Sequence, residues 1–111
     1  MNTTVPNKLY NALIKGCTTY QGDMQVTQHD TKYLYDDKVA FTAKGTCNDC
    51  KFYMIIHYAD NSDTINGTCS LHLNDGMRIH TITNAYDGDK SYCQPEDVIS
   101  DIFKTLTLDE D

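Results

Sequence analysis

Between residues 24 and 83 the chain leaves no room for a crossover. Six short runs rich in apolar and β-branched residues, at 24–28, 32–35, 38–44, 51–58, 64–73 and 77–83, are separated only by turn-forming stretches. These are His29-Asp30, Asp36-Asp37, residues 45–50, residues 60–63 and Asn74-Asp75-Gly76. A parallel pair needs a connection of about a dozen residues or more, whereas an antiparallel pair needs only a turn. The spacing therefore predicts an antiparallel meander of five or six strands. The run 51–58 carries Phe52, Met54, Ile56 and Tyr58 on one side and Tyr53 and Ile55 on the other. That pattern predicts a central strand.

The pattern changes at both ends. Leu9, Leu13 and Cys17, with Tyr10 and Ile14, form an apolar stripe at helical spacing, with Pro6 at its start and Gly16 as its expected stop. Near the other end, Pro95 starts a second helix, and Glu96 and Asp97 lie in the first turn, where the helix dipole favours negative charge. Val98, Ile99, Ile102, Phe103 and Leu106 make its apolar stripe. Asp97, Ser100, Asp101 and Lys104 lie away from that stripe. At 111 residues, the expectation is one α+β domain over 1–111, a sheet flanked by an N-terminal and a C-terminal helix.

The hairpin at Asn74-Asp75-Gly76 permits a register argument. A three-residue turn with Gly76 left-handed pairs Leu73 with Met77 and Leu71 with Ile79. Cys69, Leu71, Leu73, Met77 and Ile79 then share a core face, and Ser70, His72, Arg78 and His80 a polar one.

Five cysteines are many for this length, and their number is odd. With no basic leader and no apolar run at residues 1–6, a cytoplasmic chain with free thiols or a metal site is expected rather than a complete disulfide framework. Cys47-x2-Cys50, followed after eighteen residues by Cys69-x2-His72, resembles the paired ligands of zinc ribbons. The resemblance implies a structural zinc on Cys47, Cys50, Cys69 and His72. Against it, residues three apart on a strand face opposite sides, which favours a core Cys69 and a surface His72. Cys47 to Cys50 also has the redox Cys-x-x-Cys spacing, but it lies between strands and has Asp49 beside it, which disfavours a thiolate. A plain turn is the simpler expectation.

His72, Arg78 and His80 could serve phosphate binding or acid–base chemistry in a small enzyme. No glycine-rich phosphate loop, serine motif or carboxylate pair accompanies them. The charge points elsewhere. Residues 1–55 carry a net +1, whereas residues 56–111 carry a net −8. Such an acidic half repels nucleic acid and anionic membrane and attracts a basic protein partner. Asp97, Asp101, Asp109, Glu110 and Asp111 are the expected contact residues. Carboxylates along a helix can stand in for backbone phosphates, as in small phage inhibitors of the anti-CRISPR or anti-restriction type. The expectation is a non-enzymatic inhibitor without a cofactor that engages a nucleic-acid-handling protein, with a zinc-stabilised adaptor as the alternative.

Overall fold

The computed structural model describes residues 3–19, 24–47, 50–60, 63–74, 76–87 and 93–109, with the side chains of 19, 47 and 106–109 left out of the description. The element order is α1 (Thr4–Thr19), β1 (Met24–Tyr33), β2 (Lys38–Cys47), β3 (Cys50–Ala59), β4 (Gly67–Asn74), β5 (Ile79–Tyr86) and α2 (Pro95–Asp109). The strands form one antiparallel sheet in the order β1-β2-β3-β4-β5, a meander with both helices on one face. This is the α+β architecture that the short connections dictate.

Two predicted strands are in fact one. His29-Asp30 does not break β1, which runs unbroken past a bulge between Val26 and Gln28. A bulge absorbs one extra residue without ending the ladder, so polar residues there did not mean a turn. Gly16 also does not stop α1, which continues to Thr19. Gly16 instead sits beneath α2, where a Cβ would stand 2.5 Å from Phe103 Cε2.

The core follows from the alternation of the strands. Facing the helices, Phe41, Ile56 and Cys69 form one cross-strand row, and Ala43, Met54, Leu71 and Ile82 form the next. All seven are buried. Val5, Leu9, Leu13 and Cys17, one per turn of α1, close the core from one side. Val98, Ile99, Ile102 and Phe103 of α2 close it from the other.

The last hairpin corrects the expected register. Leu73 pairs with His80, Leu71 with Ile82 and Cys69 with Asn84. Gly76 is left-handed as expected, at φ 90°. The connection, however, takes in residues 75–78, and the Asn74 side chain accepts a hydrogen bond from the Gly76 amide at 2.9 Å. The resulting pairing differs from the expected one by an odd number of residues, which turns β5 over. Ile82 therefore enters the core, while Met77 and Ile79 stay in solvent at 95% and 64% exposure.

Candidate functional site

The corrected register separates the two histidines that the sequence grouped together. His72 faces away from the helices, 3.0 Å from Thr81 Oγ1 through its Nδ1 and within 6.0 Å of the Tyr53 ring. His80 pairs with Leu73 on the helix side of the sheet. The two imidazoles thus lie on opposite faces and share no substrate position. Arg78 precedes β5, in the connection.

The four zinc-ribbon positions are likewise not gathered. Cys69 is fully buried on the helix side, and desolvation pushes its thiol up to about 12. His72 is on the other face. Cys50 is disulfide-bonded, whereas Cys17, Cys69 and Cys93 are free thiols. Cys47 stands opposite Cys50 in the β2–β3 register. The Cys50 bond corrects the expectation of a turn whose thiols do nothing. Asn48 and Asp49 lie outside the described residues. Among the described residues, no three His, Cys, Asp or Glu side chains are placed to hold a metal ion.

The acidic residues are rearranged more favourably. In a meander, alternate connections lie at the same end of the sheet. The β1–β2 turn, the β3–β4 connection and the end of β5 therefore share one end. The Asp60 amide donates to the Asp37 carbonyl, which ties the first two connections together. The Ile65 amide donates to the Cys93 carbonyl at 2.7 Å, which brings the start of α2 to the same place. Asp36, Asp37, Asp60, Asp63 and Asp87 consequently join Glu96 and Asp97 at one pole. All but Asp60 are exposed. The sequence reading missed the first five because they are far apart in the chain; the parity of the turns was the signal that could have found them. Asp36 also adopts the left-handed conformation, φ 56°, which aspartate tolerates better than most residues.

Asp101 has a different part from Asp97. Its Oδ2 accepts a hydrogen bond from the Tyr86 hydroxyl at 2.8 Å and another from Asn84 Nδ2 at 3.3 Å. Burial, and then this bond, hold the Tyr86 hydroxyl protonated well above the ordinary tyrosine range. Asp101 thus ties α2 to β5, a structural role beside the partner contact expected of it from the sequence. Asp109 ends α2, and its side chain, together with Glu110 and Asp111, lies outside the described residues.

The face without helices carries the opposite charge. Among the described residues Lys32, Lys38, Lys44 and Lys51 project from it with the single acid Asp30, among Thr42, Thr46, Thr68, Ser70, Thr81 and Thr83. Gln28, Lys32, Thr42, Lys44, Tyr53 and Ile55 wall a hollow of about 340 Å³ floored by Ala40. The fold therefore sets four lysines on the open face and seven carboxylates at one end.

No protein-family model matches the chain, and comparison with curated proteins and with solved structures finds no match. No helix among the described residues is long and apolar enough to cross a membrane.

Proposed function

We propose that this protein is a non-catalytic binding module that inhibits a basic, nucleic-acid-handling protein by presenting carboxylates where that protein expects phosphates. The observation that carries the reading is the convergence of Asp36, Asp37, Asp60, Asp63, Asp87, Glu96 and Asp97 at one end of the sheet. Charge gathered from four chain segments produces a stronger local potential than the same charge spread along a tail, and it speeds encounter with a cationic groove. The binding surface in this reading is larger than the C-terminal helix alone. Asp97 belongs to it, while Asp101 supports it through the tie to β5. The partner's site is one that otherwise holds nucleic acid, so the module itself binds none. Its place of action is the interior of the cell.

The residues of the two rival readings are separated in the fold. His72 and His80 are divided by the sheet, and Cys69 is sealed beneath α2.

The test is affinity capture on the immobilised protein at low and high salt, with duplex DNA as competitor. A variant neutralised at four exposed positions, D36N/D63N/E96Q/D97N, serves as control. The expected result is a basic protein that is retained at low salt, displaced by DNA and lost on the neutralised variant. Equal retention on both versions overturns the proposal, because charge at the pole would then contribute nothing.

A further inference from the structure

The acidic pole is not uniformly polar. Leu34 and Tyr35, adjacent in the β1–β2 turn, are exposed at 45% and 78%. Backbone hydrogen bonds close the turn that carries them. The Leu34 amide donates to the Lys38 carbonyl at 2.8 Å, and the Lys38 amide donates to the Tyr35 carbonyl at 3.2 Å. Asp36 and Asp37 follow the ring directly, with Asp36 in its left-handed conformation. Beside the pair is a hollow of about 350 Å³. Leu34 and Tyr35 wall one side of it and His57, Asn66 and Thr68 the other, with Lys38 on the strand between. Imitation of a phosphate backbone alone requires carboxylates and no exposed ring, so the apolar pair calls for its own counterpart on the partner.

We infer that this hollow receives an aromatic side chain of the partner, and that the partner is a protein that handles single-stranded nucleic acid. The inference rests on the function proposed above and adds the class of nucleic acid that is imitated. Single-strand grooves interleave cationic side chains with aromatic rings on which bases stack. Proteins that grip a duplex use cations for the phosphates and polar groups for the base edges, because paired bases keep their faces stacked on one another. Tyr35 stands where an unpaired base would, beside two carboxylates that stand where phosphates would. Lys38 selects an aromatic occupant over a cationic one, since it lines the hollow itself. An ammonium is attracted to the face of a ring and repelled by arginine or lysine. The partner's cations are directed instead to Asp36, Asp37 and Asp63, none of which lines the hollow. Because the turn is already closed by hydrogen bonds, little backbone freedom is lost when Tyr35 is covered.

The test uses the basic protein retained at low salt in the capture described above, purified and titrated against the full chain. Y35A is expected to weaken binding about tenfold or more, as removal of a base-stacking ring does. Its salt dependence stays that of the original chain, because every carboxylate is kept. Y35F binds like the original, which shows that the ring rather than the hydroxyl is recognised. An unchanged melting temperature shows that both variants fold. Oligothymidylate displaces the chain at a lower nucleotide concentration than duplex DNA of mixed sequence. Suppose Y35A binds as tightly as the original while D36N/D63N/E96Q/D97N does not bind: this inference is then overturned and the phosphate mimicry stands. A Y35F protein that binds as weakly as Y35A overturns it too, as does duplex DNA that competes better than the single strand. Equal binding of the neutralised variant, or no basic protein retained at all, overturns the function proposed above and this inference with it.

Discussion

Gly16 in α1 lies directly under the ring of Phe103 in α2, so close that a Cβ on the glycine would stand 2.5 Å from Phe103 Cε2 and 2.6 Å from Cδ2. The Phe103 ring is fully buried. Substituting alanine gains about 1 kcal/mol of helix propensity. Forcing atoms into a packed core costs roughly 1–3 kcal/mol. Gly16→Ala is therefore expected to lower stability by about 1 kcal/mol net in urea unfolding. In the same assay, Phe103→Leu is expected to be less damaging in the Gly16→Ala background than alone, because the smaller side chain relieves the clash. A double-mutant cycle with no coupling would disprove the contact.

The two aspartates on the outer side of α2 are expected to behave differently. Asp97 is exposed and Asp101 accepts the Tyr86 hydroxyl. Asp97→Asn should lower the melting temperature only slightly, through the loss of a first-turn charge worth about 0.3 kcal/mol at an exposed site. Asp101→Asn should lower it, by an amount corresponding to about 1 kcal/mol for an exposed, charge-assisted hydrogen bond. Tyr86→Phe in the Asp101→Asn background should add little, since the bond is already weakened.

The corrected hairpin register is checked by one pair of substitutions. Ile82 is buried beside Leu71, whereas Ile79 is in solvent. Ile82→Ser should cost about 3 kcal/mol or more, from lost burial together with a cavity. Ile79→Ser, measured in dilute protein, should cost under about 0.5 kcal/mol, as surface changes do. The reverse ranking would restore the register expected from the sequence.

Alkaline pH should destabilise the fold. Burial raises Cys17 from 9.0 to about 11 and Cys69 from 9.0 to about 12. Desolvation also lifts the Tyr58 and Tyr86 hydroxyls above their ordinary value of 10.0. Below pH 9 the thiols are protonated in both folded and unfolded chains, so their contribution is constant. Above pH 9 the unfolded chain releases protons that the native chain retains, and stability falls as pH rises. The melting temperature should therefore decline from about pH 9 upward, and Cys69→Ala should flatten that decline even though the cavity lowers the whole curve. A curve of unchanged slope in Cys69→Ala would exclude the buried thiol as a cause.

Much of the fold was legible because short connections and alternation constrain it directly. Phe52, Met54, Ile56 and Tyr58 identified the central strand, and Val98 to Phe103 identified the second helix. The errors came where the backbone departed from the simplest rule. A bulge let β1 pass through His29-Asp30, and the connection after Asn74 inverted β5, so that Ile79 was assigned the place of Ile82. Gly16 read as a helix stop because sequence alone cannot tell a glycine needed for its backbone freedom from one needed for its lack of a side chain. The candidate site was legible in sign but not in position. The C-terminal acids were evident, but Asp36 and Asp63 join them only through the geometry of alternate turns. Asp101 looked unattached because its Tyr86 partner comes from an inverted strand.

The packing of α1 against α2 also governs how the chain can form during synthesis. Each hairpin of the meander pairs neighbours in sequence, so the strands can align in turn as they leave the ribosome. Their apolar face, however, has only α1 to cover it until residue 103 has emerged, and α1 finds its seat at Gly16 only when Phe103 arrives. From the synthesis of β5 until residue 103 the nascent sheet thus holds Leu71 and Ile82 uncovered by α2. A ribosome stalled anywhere between the end of β5 and the second turn of α2 should hold a chain that chaperones bind, and release of the next few residues should free it.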